Sequence, residues 1–192
     1  VYITTVVIII LGIVGMYQIK VSGSLIEDMP KSMQFYKDIK FFEKEFGGIM
    51  PLEILIDTKK EKGVMKLSTL KKMEKINEAI ASFPELSKPV SVVNLVKYSK
   101  QAYYKGIPKY YQLPTSQEQA HIFSYTKNST NNADMLNNFV DSTGRYARIT
   151  TFMKDIGTDK MELILGRLKA VVDKEFPTEK YTVSFTGKEA IA

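Results

Sequence analysis

The chain of 192 residues has no cysteine, no tryptophan and a single histidine, His121. Without thiols there is no disulfide framework, thiolate zinc site or iron–sulfur cluster. One imidazole is too few for a multi-histidine metal site and a poor start for a Ser-His-Asp triad. His121 has Gln117, Glu118 and Tyr125 within one helical turn and reads as a surface or hydrogen-bonded structural residue. There is also no phosphate-cradling glycine loop and no nucleophile elbow. Charge is absent from Val1 to Ile19, although it is dense everywhere else. These gaps leave no assembled active site, so the expectation is a protein that is not an enzyme and holds no cofactor and no metal.

What is present begins with that uncharged run, whose centre reads VVIIILGIVGM from Val6 to Met16. Nineteen helical residues span roughly 28 Å, close to the ~30 Å hydrocarbon core of a bilayer. A transmembrane helix over 1–19 is therefore expected. A secretory signal peptide would want a basic leader and a small-residue cleavage site, and Val21-Ser22-Gly23-Ser24 is a poor match. A core helix would keep a polar face, and only Thr4, Thr5, Gln18 and the tyrosine hydroxyls offer polarity here. Because the chain opens on valine with the helix already under way, it reads as part of something longer. The net charge of +6 comes largely from scattered lysines such as Lys59, Lys60, Lys62, Lys66, Lys71 and Lys72. They read as a solvated surface, with attraction to anionic lipid headgroups as the functional alternative. A membrane anchor makes nucleic acid an implausible partner.

Downstream, a connecting amphipathic segment occupies 20–50. Asp28 and Pro30 suggest a helix start, Phe35, Ile39, Phe42 and Phe46 share one face, and Gly47-Gly48 ends the helix. Core packing is the expected fate of that stripe, with contact to lipid or substrate as the alternative. A first β-α-β unit is expected over 51–95. It comprises a strand Leu52–Asp57, a helix capped by Ser68 with Leu70, Met73, Ile76, Ile80 and Phe83 inward, and a second strand from Pro89 to Leu95. A second unit over 145–187 has an alternating strand Tyr146–Lys154, a helix capped by Thr158, and a strand Tyr181–Thr186 closed by Gly187. Residues 188–192 would lead into a further membrane span. Two such units predict an α+β, ferredoxin-like split βαβ domain of four strands, with two helices on one face.

Between the units, 96–144 forms a tyrosine-rich helical insert with Tyr98, Tyr103, Tyr104, Tyr110, Tyr111 and Tyr125. Thr115-Ser116-Gln117-Glu118 is a capping box for a helix from Ser116 to about Tyr125, Asn128 to Asn132 reads as a loop, and Asp141-Ser142-Thr143-Gly144 is a turn. Tyrosine brings apolar area with a polar handle to interfaces, and packing of these rings over the sheet is an equal alternative. The candidate substrate or partner contacts are Phe35, Phe42, Tyr103, Tyr104, Tyr110 and Tyr111. Asp57 and Asp155 each end a predicted strand; paired carboxylates could do acid/base work, but such aspartates usually cap turns. Asn128-Ser129-Thr130 matches a glycosylation sequon, a frequent chance occurrence.

The order of these motifs resembles a known family. An apolar helix leads to Ser24-Leu25-Ile26-Glu27-Asp28-Met29-Pro30 and then to Phe46-Gly47-Gly48 and Pro51-Leu52-Glu53-Ile54-Leu55-Ile56-Asp57. Phe139-Val140-Asp141-Ser142-Thr143-Gly144-Arg145-Tyr146-Ala147-Arg148-Ile149 and Val183-Ser184-Phe185-Thr186-Gly187 follow. The whole chain resembles the first membrane helix and first extracytoplasmic porter loop of the resistance-nodulation-division (RND) superfamily, most closely its MMPL-type branch of hopanoid and other lipid transporters. The resemblance implies proton-driven export of lipids or other hydrophobic molecules. It also implies a bacterial inner-membrane location with the folded domain on the periplasmic side. Membrane lipids or hydrophobic substrate, and the second porter loop and other helices of the same chain, would be its partners. Homo-oligomerisation stays open. The family's proton-relay acids lie in a later helix, outside these residues. The competing reading is an extracytoplasmic ligand-sensing domain of a membrane receptor, and an anchored enzyme ranks third.

Overall fold

The computed structural model describes residues 2–18, 26, 29–128 and 135–186. Its elements run α1 (Tyr2–Gln18), α2 (Gln34–Phe46), β1 (Met50–Asp57), α3 (Leu67–Ala81), α4 (Val92–Tyr103) and a 3-10 turn at Pro108–Tyr110. They continue through α5 (Gln119–Asn128), β2 (Tyr146–Met153), α6 (Thr158–Glu175) and β3 (Thr182–Thr186). The fold is α+β, as expected.

The three strands form one antiparallel sheet in the order β2-β1-β3. β1 is the central strand: Ile54 lies between Ile149 and Phe185, and Ile56 between Ala147 and Val183. Since β2 and β3 both run antiparallel to β1, they run parallel to each other with β1 between them. The β2-α6-β3 segment is thus a β-α-β crossover split by a third strand. Alternation in β1 turns Leu52, Ile54 and Ile56 inward, and in β2 it turns Ala147, Ile149, Thr151 and Met153 the same way. Leu70, Met73, Ile76 and Ile80 of α3 and Met161, Ile164, Leu168 and Val172 of α6 close over that face as one core.

The expected second strand is not there. Residues Pro89 to Leu95 run instead into α4, and only isolated bridges from Leu86 to Met153 and Val90 to Thr150 persist beside β2. The cause is local. Ser91 accepts a hydrogen bond from the Val93 amide, and the Ser91 amide donates to Asn94 Oδ1 at 3.0 Å, forming a capping box. Val92, Leu95, Val96 and Ser99 then recur at helical spacing and are buried. The first unit is consequently β-α-α rather than β-α-β.

Helix starts also differ from expectation. α3 begins one residue before Ser68, behind Lys66, and α6 begins at Thr158 behind Gly157; neither cap makes a side-chain hydrogen bond. α2 begins at Gln34 behind an extended Met33, four residues after Pro30. Asp28, the Ser129–Asn132 part of the expected loop, the sequon beyond Asn128, and Gly187 with 188–192 lie outside the described residues. The Thr115–Glu118 capping box is present, followed by α5 from Gln119, and the Asp141–Gly144 turn is closed by the Gly144 amide on the Asp141 carbonyl.

Two further expectations change. α2 buries no residue, so the Phe35–Phe46 stripe is not core. The uncharged run is helical over 17 residues, and no helix among the described residues is long and apolar enough to cross a membrane. Every α1 side chain described, from Tyr2 to Met16, is nevertheless exposed.

Candidate functional site

An uncovered apolar surface of the folded domain starts with α2. Its first turn is held by Gln34 Nε2 on Asp38 at 2.8 Å and its last turns by Lys40 on Glu43 at 2.6 Å. Gly47 ends it in the left-handed region at φ 79, its amide donating to the Glu43 carbonyl. Gly48 follows, packed so close to β2 that a Cβ would sit 2.6 Å from the Met153 carbonyl carbon. That close approach, with the Ile49 amide donating to the Met153 carbonyl at 3.0 Å, turns the chain straight from α2 into β1.

The turn stands α2 beside the end of the sheet rather than over its face. Ile39, Phe42 and Phe46 form one wall of a groove of about 370 Å³, and Ile49 and Phe152 the other, with Gly48 between. The Phe42 and Phe46 rings stack with centroids 5.3 Å apart, and Phe41 meets Phe42 edge-on at 6.0 Å. Phe42 and Phe46 stay 52% and 59% exposed, since among the described residues the opposite wall is Ile49 and Phe152. An adjoining cleft of about 560 Å³ shares Phe46 and Phe152 and adds Lys44, Glu45 and Lys88 at its rim.

The tyrosines occupy a different place. Tyr104 and Tyr110 stack at 4.1 Å, and Tyr103 meets Tyr104 and Tyr125 edge-on at 5.3 and 5.6 Å. Beneath them Lys100, 2% exposed, donates to Glu118 Oε2 at 2.8 Å. The Tyr104 hydroxyl donates to Glu118 Oε1 at 2.8 Å, and the Thr115 amide donates to Oε2 at 2.9 Å. Hydrogen bonding from the Lys100 ammonium, then from the Thr115 amide, holds the Glu118 carboxyl at about 2. The same Glu118 bond raises the Tyr104 phenol. This cluster ties the start of α5 to the end of α4, so Tyr104 and Tyr110 serve packing, while Tyr103 and Tyr111 remain exposed. Tyr111 sits apart, with Lys97 5.9 Å over its ring.

Of the six sequence candidates, then, Phe42 alone lines the groove. Phe35 lies on the same helix face, exposed and outside the lining. Sequence reasoning placed Ile39 and Phe46 on the stripe without naming them as contacts. It missed Phe152, whose outward register on β2 was readable from alternation. It also missed Ile49, Lys44 and Lys88, for which no local pattern gave a signal.

The two strand-end aspartates lie apart. Asp57 accepts a bidentate pair of bonds from Arg145 Nε and Nη2, both 2.7 Å, which lowers its carboxyl below the ordinary range. Asp57 is at the Tyr146 end of the sheet, while Asp155 lies past the Met153 end. An eight-residue strand, roughly 25 Å, separates them, so they share no acid/base chemistry. Asp155 accepts from the Ile26 amide at 2.9 Å. His121 is exposed. Among the described residues no group of three His, Cys, Asp or Glu side chains is placed to hold a metal ion. No protein-family model matches the chain, and no curated protein matches it either.

Proposed function

We propose that the chain is the extracytoplasmic porter domain, with its lead helix, of a proton-driven RND/MMPL-type transporter that exports lipids or other hydrophobic molecules from the bacterial inner membrane. One observation carries the reading: α1 has no charge and is exposed on every face. A helix apolar all round belongs in a protein core or in lipid, and this domain offers it no core. Its 17 described residues rise about 25 Å, short of the ~30 Å hydrocarbon core, and a helix that short sits in lipid by thinning the bilayer around it. The fold supports the same reading. In a ferredoxin-like porter unit a fourth strand would flank β2, and the bridges at Leu86 and Val90 lie along that edge. The domain itself is non-catalytic and works beside the remaining porter loop and helices of its own chain.

Sequencing the coding DNA downstream of Ala192 tests this. A block of further apolar helices with acidic residues among them is expected. A single span followed by a kinase or coiled-coil signalling segment would replace the transporter with a ligand-sensing receptor domain.

A further inference from the structure

We propose that the end of the domain formed by α2, Ile49 and Phe152 docks on an anionic bilayer surface, a phospholipid acyl chain entering the aromatic groove and its phosphate meeting Lys44 and Lys88. The proposal rests on the reading of α1 as lipid-embedded.

Three observations converge. The groove is lined by Ile39, Phe42, Phe46, Gly48, Ile49 and Phe152, with no charged or hydroxyl side chain to orient a water-soluble ligand. Past the shared Phe46 and Phe152 the surface turns basic. Lys44 and Lys88 form no ion pair among the described residues, whereas Lys40, Lys75, Lys97, Lys100 and Lys160 each have a carboxylate partner. Glu45 shares that rim, which leaves it one positive charge in excess. An apolar slot opening onto ammonium groups with no ion pair among the described residues matches an acidic lipid, tail first and headgroup beside it.

The third observation fixes the direction of approach. Ile26, in the connection from α1 to α2, is buried, and its amide donates to Asp155 Oδ2 at 2.9 Å. The Asp155 amide in turn donates to Glu43 Oε1 of α2 at 3.3 Å. Ile26, which follows α1 in the chain, is thus clipped to the domain beside α2, at the end of β2 that bears Phe152. With α1 in lipid, this is the end of the domain nearest the bilayer.

The absence of tryptophan allows a direct test with single-tryptophan variants of the full chain. Ile10→Trp, Phe46→Trp and, as a second groove probe, Phe152→Trp are reconstituted into phosphatidylcholine vesicles with or without phosphatidylglycerol, carrying lipids brominated at chosen acyl depths. Expected is quenching of Ile10→Trp by deep bromines and of both groove probes by shallow ones. The groove signal should be stronger with phosphatidylglycerol, and Lys44→Gln with Lys88→Gln should remove that preference, each lysine contributing about fivefold near an anionic surface. A quenched Ile10→Trp with both groove probes unquenched would overturn the docking and leave α1 in lipid. Groove probes that shift blue with protein concentration, without bromine quenching, would overturn it in favour of a second copy of the chain. Equal quenching with and without phosphatidylglycerol would overturn the phosphate contact. An unquenched Ile10→Trp would overturn the reading of α1 and the docking with it.

Discussion

Helices α2 and α3 carry the same sequence device, an apolar stripe at spacings of three and four, and meet opposite fates. In α3, Leu70, Met73, Ile76 and Ile80 are fully buried against the sheet face. In α2, Phe35, Phe42 and Phe46 stay more than half exposed. Periodicity decides which residues share a side of a helix; it does not supply the surface that receives them. α3 meets a row of inward side chains from β1 and β2, whereas α2 meets the end of the sheet, where Ile49 and Phe152 are on offer among the described residues.

The sharpest way to break this comparison is to truncate one member of each stripe. Ile76→Ala should cost about 3–4 kcal/mol, the transfer term plus a cavity, while Phe42→Ala should cost less than about 1 kcal/mol. Urea midpoints read both; equal losses would make α2 core after all. Next in size is Glu118→Ala, which strands the buried Lys100 ammonium and should cost about 3 kcal/mol by the same measurement.

The pH dependence of that clamp follows with a fixed sign. The Glu118 carboxyl sits at about 2 in the folded chain against an ordinary value of 4.5, so the unfolded chain takes up the proton first. Its stabilisation is complete above about 4.5 and drains away as pH falls toward 2. Urea midpoints between pH 6 and pH 2 should therefore fall less steeply in Glu118→Gln than in the parent chain. The smallest effect concerns helix starts. Ser91→Ala should cost about 1 kcal/mol by removing the α4 cap, whereas Ser68→Ala, exposed and bonded to no cap, should stay within about 0.5 kcal/mol. Thermal melts distinguish them.

Much of the fold was legible where pattern and environment agree. β1, β2 and β3 alternate because one sheet face is buried, and α3 and α6 show the matching helical stripes. α4 was misread because Val90, Val92 and Val93 look β-branched and strand-like, while the deciding signal was polar: Ser91 three residues before Asn94. The candidate groove was half legible. The stripe on α2 is written in one local stretch, but Phe152 reaches it only through the register of β2 against β1. No local reading can reveal a contact between residues more than a hundred positions apart.

That register also sets a schedule. β1, the middle strand, finds its partners only after β2 and β3 exist, and Glu53 meets Thr186, 133 residues further on. Helices α2 to α5 are all made before the sheet has a second strand, so during synthesis Leu52, Ile54 and Ile56 wait unpaired. Topologies of this kind fold slowly and expose sticky strands meanwhile. A chain interrupted before residue 182 would lack one whole side of its central strand, and its half-built sheet would be an open invitation to aggregate.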